Sequence, residues 1–170
     1  MRLSVSLSAT KRQSREGGTM QSTSHPMLSG ADGLANKYAD ILILIGRIML
    51  AWVFVGVAYG AMTNFAGSLA YFTSQKLYAP ALWTWMALLL ELLISVSLIL
   101  GIGTRYGAIL VFVFVLIATA IAHRYWEFPA GPQQIGQYNN FLKNISIMGG
   151  ALAILVTGAG RFSLDRVLAK

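Results

Sequence analysis

Four apolar stretches, each long enough to cross a lipid bilayer, constrain this chain more than any other feature. They lie at about residues 39–62, 80–101, 104–124 and 140–159. About 20 residues of α-helix, rising ~1.5 Å each, cross the ~30 Å hydrocarbon core. Because that core holds no water, a spanning segment must satisfy its own backbone hydrogen bonds, which an α-helix does. The sequence therefore predicts an all-α membrane protein with four transmembrane helices.

The composition excludes an ordinary soluble domain and several kinds of site. Hydrophobic residues make up 56% of the chain and charged residues 11%, well under the ~25% charged residues of an average soluble domain. The chain has no cysteine, which excludes disulfides, Cys-ligated metals and thiol redox chemistry. His25 lies in the N-terminal tail, so His123 is the only membrane histidine. We therefore expect neither a haem nor a metal site, and no catalytic residues.

The connections between the stretches predict an antiparallel bundle. Residues 101–104 join the second and third stretches, and their glycines favour a tight turn. The 63–79 connection suits a short interfacial helix. In the 125–139 loop, Pro129 and Pro132 interrupt the helix among aromatic residues that suit the membrane interface.

The distribution of Lys and Arg predicts the orientation of the bundle. Nine of them lie in the N-terminal tail, the short hairpin and the C-terminal tail, whereas only Lys76 and Arg124 lie on the opposite side. The positive-inside rule therefore places both termini in the cytoplasm. Topology thus explains the net charge of +7, and no nucleic-acid partner is needed.

The first 38 residues form a polar tail ahead of a membrane domain at 39–168. The tail is rich in Ser and basic residues, and we expect it to be disordered. Such a start also fits an organelle transit peptide, and translation starting at Met20 or Met27 is a second interpretation. Whether residues 1–19 belong to the mature protein stays open.

Two opposite charges lie inside the predicted spans. Arg47 lies about 12 Å and Glu91 about 15 Å from the cytoplasmic ends of their helices. A lone charge at the bilayer centre costs at least ~2.5–3.5 kcal/mol, so we expect Arg47 and Glu91 to form an ion pair. The pair either clamps two helices together or marks a proton, ion or quinone site.

Further polar residues predict a small ligand pocket. Thr84 and Ser95 share a helix face with Glu91. Taken alone, His123 is explained as an interfacial histidine and Lys143 as a snorkelling lysine. The cluster as a whole favours a ligand-binding pocket. The expected pocket residues are Thr84, Ser95, His123, Asn140, Lys143 and Asn144.

The chain resembles the DoxX family of small bacterial inner-membrane proteins, which includes DoxD/DoxX-like subunits of thiosulfate:quinone oxidoreductases. Relatives often carry a lysine at the end of the first helix, where this chain has Ala61, so no role of that lysine is carried over. The resemblance covers about residues 40–168 and rests on the segments GRIMLAWVFVG (Arg47), PALWTWMALLLELL (Glu91), LILGIGTRYGA, AHRYWEF, NNFLKNISIMGG and GAGRFSLDRVL.

The resemblance implies a multi-pass protein of the bacterial inner membrane that is not catalytic alone. Its implied role is that of an accessory subunit in a quinone-linked oxidoreductase or a stress-related complex, with a bound quinone and redox-enzyme partners. A small transporter or proton-coupled channel and a ligand-free scaffold remain alternatives. The Gly56-x-x-x-Gly60 motif packs either within the bundle or against a second copy in a homo-oligomer.

Overall fold

The computed structural model describes residues 29–169, and four of its helices are long and apolar enough to cross a membrane. This confirms the all-α fold with four candidate transmembrane helices; the described residues form no strand. The chain divides into two units, Met1–Lys37 and Tyr38–Lys170. The helices are α1 (Ser29–Thr63), α2 (Phe65–Ser74), α3 (Pro80–Leu100), α4 (Thr104–Ala122), α5 (Pro132–Thr157) and α6 (Leu164–Leu168), with a 3₁₀ turn at Tyr125–Glu127.

Two of the long helices begin earlier than the apolar stretches predicted. α1 begins at Ser29 rather than near 39, so only residues 1–28 of the predicted disordered tail lie outside the described residues. α5 begins at Pro132 rather than near 140. Proline is favoured in the first helical turn, so here it starts the helix. Apolar length marks only the part of a helix that hydrocarbon would cover, and a helix can continue as a polar extension beyond it.

The α3–α4 turn closes one end of the bundle, which we call the hairpin end. Gly101 and Gly103 have φ angles of 69° and 56°, in the left-handed region that glycine occupies without steric cost. A Cβ atom on Gly101 would lie 2.6 Å from Nη2 of Arg47. Both the backbone angle and the space therefore require glycine at this position.

The hydrophobic core lies towards the hairpin end. It combines residues of α1, α3, α4 and α5, and the most completely buried are Ala51, Ile94, Leu98, Ala108, Val111 and Ala151. Large apolar side chains on the outer faces remain exposed, for example those of Trp52 and Leu89. Such a surface suits contact with lipid tails. The helices therefore pack against each other in the centre, and their apolar outer faces suit the hydrocarbon of a bilayer.

Arg47 fastens the hairpin end together. Its side chain is fully buried. Nε donates to the carbonyl of Leu98 at 2.9 Å, and Nη2 donates to that of Ile99 at 3.1 Å. Nη1 donates to the carbonyls of Ala159 and Phe162. The guanidinium thus joins α1 to the end of α3 and to the segment that follows α5.

The structure does not bring Arg47 and Glu91 together as the predicted ion pair. The ion pairs among residues 29–169 involve other side chains, and Leu98 lies two helical turns, about 10 Å, beyond Glu91 along α3. The last carbonyls of a helix have no hydrogen-bond partner within it. Two acceptors of Arg47, the carbonyls of Leu98 and Ile99, are of this kind. The expectation was wrong because it considered only side chains as partners for the guanidinium.

Asp165 completes the hairpin end. Its carboxylate accepts hydrogen bonds from the backbone N–H groups of Gly103 (2.6 Å) and Thr104 (2.9 Å) at the start of α4. Burial by itself raises the pKa of Asp165, but the hydrogen bonds from Thr104 and Gly103 outweigh it and, with the nearby charge of Arg47, hold the pKa below the ordinary 3.8. The carboxylate therefore stabilises α4 as a cap in its charged form.

Replacing Arg47 tests this arrangement. We expect Arg47→Met to lower the free energy of unfolding by roughly 3 kcal/mol or more, because hydrogen bonds to charged groups contribute ~1.5–3 kcal/mol each. Arg47→Lys should lower the free energy of unfolding by a smaller amount, because it keeps the charge. Some loss should remain, because lysine offers fewer hydrogen-bond donors than arginine. Reversible unfolding in mixed micelles measures the change. Arg105→Met, at an exposed arginine, is the control, and equal effects of Arg47→Met and Arg105→Met would contradict the account.

Asp165→Asn should act in a pH-dependent way. A carboxylate whose pKa is lowered in the folded state stabilises the fold above its unfolded pKa, and the contribution is lost as pH falls through the folded pKa. The variant should therefore be less stable than the parent at pH 7, and the gap should close on acidification below pH 3.8. Thermal unfolding across pH, with Glu127→Gln as the control, measures it. A gap that stays constant with pH would refute the capping role.

Candidate functional site

A cavity of about 710 Å³ lies in the half of the bundle away from the hairpin end. Side chains from α1 to α5 form its wall, which is mostly apolar. Ile94, Leu98 and Val111 are 0% exposed and do not line it, whereas Leu110 on α4 does. At the other end α2 lines it through Ser68, Tyr71 and neighbouring residues. The wall therefore runs from the middle of the bundle to the α2 end.

Glu91 is the acidic group in the wall of this cavity. The residue is only 6% exposed, and within the described part of the chain no hydrogen bond or ion pair to its carboxylate is found. Its backbone carbonyl accepts from the hydroxyl of Ser95 at 2.7 Å. A buried carboxyl without a donor is costly, so Glu91 is the group in this wall with most to gain from a ligand.

A polar layer crosses the bundle about 10 Å from Glu91, two turns along α3. Thr84 lies in it and donates to the carbonyl of Pro80 at 2.9 Å. Asn144 donates from Nδ2 to Oγ1 of Thr119 at 2.8 Å, and this contact joins α5 to α4. Thr84 and Asn144 line the cavity, whereas Thr119 supports Asn144 from behind.

His123 and Lys143 lie nearer the α2 end of the cavity wall. Nδ1 of His123 lies 2.8 Å from Oε1 of Gln137. Lys143 is exposed, and its Nζ donates to Oδ1 of Asn140 at 3.1 Å. Lys143 is thus exposed and His123 half-buried, whereas Glu91 is buried.

The structure brings most of the predicted pocket residues together. Thr84, His123, Lys143 and Asn144 line one cavity with Glu91, whereas Ser95 and Asn140 do not line it. Their roles in binding stay predictions. Within residues 29–169 no three His, Cys, Asp or Glu side chains group as metal ligands.

Two residues of this network were missed by sequence reasoning. Gln137 fell in a predicted loop, but with α5 beginning at Pro132 it lies on the same helix face as Asn144, seven residues on. Thr119 was not among the expected pocket residues, and its contact with Asn144 depends on how α4 packs against α5. A longer fourth helix would have revealed Gln137, whereas no sequence signal reveals the Thr119 contact.

Cysteine labelling tests the cavity directly, since the chain contains no native cysteine. Ala118 lines the cavity, and Ala108 on the same helix is 1% exposed in the core. We expect a small methanethiosulfonate reagent to modify Ala118→Cys in detergent and to leave Ala108→Cys unmodified until the protein is unfolded, because access limits the reaction. Mass spectrometry measures both. Equal protection of the two thiols would contradict the cavity.

Comparison with known proteins places the chain in a family. It matches the DoxX family over residues 42–124. It is 36% identical over 130 residues to inner membrane protein YphA of Escherichia coli, across 74% of this chain and 89% of that protein. YqjF, an inner membrane protein of the same organism, is 29% identical over 134 residues, across 79% of this chain and 97% of that protein.

A more distant similarity reaches a eukaryotic protein. ER-derived vesicles protein ERV29 of Saccharomyces cerevisiae is 23% identical over 143 residues, which make up 84% of this chain and 39% of that protein. No solved structure matches the chain. The identity to YphA over nearly its whole length and the four apolar helices lead to one conclusion: the chain belongs to the DoxX family of multi-pass inner-membrane proteins.

Proposed function

We propose that this protein is the ligand-binding accessory subunit of a quinone-linked membrane complex, and that it is not catalytic by itself. The observation that carries the proposal is the cavity of about 710 Å³, whose apolar wall contains the buried carboxyl of Glu91. Small-molecule sites have typical volumes of 300–1,000 Å³ and combine apolar walls with a few placed polar groups. The cavity has this character.

The residues present fit a quinone-class ligand. The apolar side chains suit an isoprenoid tail, and Val57, Val113 and Ile117 belong to this part of the wall. Polar side chains lie at two depths of the cavity, at Glu91 and around Asn144, and suit hydrogen bonding to the ring oxygens of a quinone. In such a complex a quinone would act as the electron acceptor. The chain's own residues bind and orient the ligand and keep water from its apolar part.

Two observations favour binding over the alternatives. A channel or transporter requires a path through the bundle, and the buried core at Ile94, Leu98 and Val111 closes the hairpin half. A scaffold without a ligand would use its charges for assembly. Glu91 does not clamp helices, because Arg47 is satisfied by backbone carbonyls. The carboxyl therefore has no assembly role among these contacts.

Filling the cavity tests the proposal. Ala118 lines the cavity, whereas Ala120, two residues further along α4, is exposed and does not line it. We expect Ala118→Phe to weaken binding of decylubiquinone about tenfold or more, since the added ring takes ligand space and ~1.4 kcal/mol is a tenfold change in affinity. Ala120→Phe should bind as the parent does. Equilibrium dialysis of protein in lipid nanodiscs measures the affinities.

Two results would contradict the proposal. One is absence of binding to the parent protein in nanodiscs; the other is equal binding by Ala118→Phe and Ala120→Phe. Thermal unfolding of both variants shows whether each remains folded, so a loss of binding by a folded Ala118→Phe protein is attributable to the cavity.

A further inference from the structure

The two helices of the α3–α4 hairpin touch near their turn. Gly107 of α4 lies directly against Ser97 of α3, and a Cβ atom on Gly107 would overlap Oγ of Ser97. Both residues are buried. This contact determines which face of each helix points at the other. Since both helices rise ~1.5 Å per residue, equal steps back from Ser97 and forward from Gly107 reach residues at the same level.

The same two faces line the cavity further from the turn. Residues seven or eleven positions apart lie on nearly the same face of an α-helix. Seven and eleven positions from the touching pair, the two faces carry Leu90, Met86, Phe114 and Ala118. All four line the cavity. The cavity therefore lies between these parts of the two helices, and we call the interface they form the α3–α4 seam.

The exposure of its side chains shows that the α3–α4 seam is open. A residue between two packed helices is buried, as Ser97 is at 8% exposure. Met86, on the same face of α3, is 41% exposed. Val113 and Ile117 line the cavity from α4 and are 44% and 46% exposed. The two helices therefore separate away from the turn, and the cavity opens sideways between them.

This opening lies at the depth of membrane hydrocarbon. Glu91 lies about 15 Å along α3 from the turn, which is half of the ~30 Å hydrocarbon core. Val113 is level with Glu91 across the α3–α4 seam. The exposed side chains around the opening, those of Met86, Val113 and Ile117, are apolar. The opening therefore suits the hydrocarbon chains of lipids and offers no polar group to a water-soluble compound.

The wall differs where the cavity borders α2. Asn64 and Gln75 line it there, and Asn64 is exposed. A ligand with a long apolar tail that entered through this polar margin would first have to bring its tail into water, which is unfavourable. Entry through the α3–α4 seam avoids that step.

We propose that the α3–α4 seam is a lateral opening through which the hydrocarbon chain of a ligand enters the cavity directly from the bilayer. The inference deepens the proposed function and rests on it for the ligand, a quinone with an isoprenoid tail. The ring occupies the cavity, and the tail passes between α3 and α4 into the surrounding lipid. Met86 lies in the opening, and its unbranched, flexible side chain leaves a path that a rigid ring would close.

Spin labels test the opening without an added ligand. The chain has no native cysteine, so a nitroxide on Ala118→Cys reports from inside the cavity. In lipid nanodiscs we expect this label to collide often with dissolved oxygen, which concentrates in hydrocarbon, and rarely with the water-soluble complex Ni(II)-EDDA. Ala120→Cys on the exposed outer face of α4 is the lipid reference, and Ala130→Cys in the exposed loop before α5 is the water reference.

A bulky ring in the opening identifies the route. Met86→Trp places the ring in the α3–α4 seam, whereas Leu89→Trp places it on the outer face of α3, where Leu89 is exposed and does not line the cavity. We expect Met86→Trp to lower the collision rate of oxygen with the Ala118→Cys label and Leu89→Trp to leave it unchanged. Met86→Phe carries a smaller ring and covers the case that the tryptophan variant does not fold.

The same variants test the passage of a ligand. Bound decylubiquinone is diluted into an excess of empty nanodiscs, and its release is followed over time. We expect Met86→Trp to slow release about threefold or more relative to Leu89→Trp, because a ligand that must wait for a side chain to move exchanges more slowly. Loss of contacts in the cavity would speed up release instead, so the direction of the change separates a blocked opening from a damaged site.

The outcomes separate the two proposals. Frequent Ni(II)-EDDA collisions at the Ala118→Cys label, or rare collisions with both reagents, overturn the lateral opening and leave the proposed function standing. Equal release from Met86→Trp and Leu89→Trp overturns the α3–α4 seam as the route. Absence of decylubiquinone binding to the parent protein overturns the proposed function, and the spin labels then still decide whether the cavity opens to lipid.

Discussion

The buried guanidinium of Arg47 is the interaction on which the rest of the bundle depends. A charged group inside a membrane protein must find partners within the protein. Arg47 finds four backbone carbonyls, two at the end of α3 and two after α5. The carbonyls of Leu98 and Ile99 lie in the last turn of α3, where they have no partner within the helix, and those of Ala159 and Phe162 lie in the segment between α5 and α6. One side chain thereby fixes three segments, and Asp165 adds the start of α4.

Closure of the hairpin end shapes the remainder of the protein. Because Arg47 is satisfied there, Glu91 is left without a partner among the described residues and faces the cavity instead. The bundle consequently has a closed half, packed around Ile94 and Leu98, and a half that holds about 710 Å³ of space. The proposed binding function belongs to the second half, and the packed core of the first half lies beside it. Stability and function are in this way assigned to different ends of the same helices.

The sequence predicts the helices of this protein better than their contacts. Apolar length suffices for the four spans, because hydrocarbon thickness alone determines it. It does not predict the polar starts of α1 and α5, which lie beyond the apolar stretches. Pairing Arg47 with Glu91 failed because depth along a helix says nothing of backbone acceptors. Thr84, His123, Lys143 and Asn144 line one cavity, whereas Ser95 and Asn140, which the sequence grouped with them, do not.

The central claim is that the cavity holds a lipid-soluble ligand, and the most direct measurement is to identify what the protein carries from its own membrane. Protein purified in mild detergent, washed free of bulk lipid and extracted into organic solvent can be analysed by mass spectrometry. We expect a quinone-class compound in near-stoichiometric amount. Recovery of phospholipid alone, in the amounts that any membrane protein retains, would contradict it.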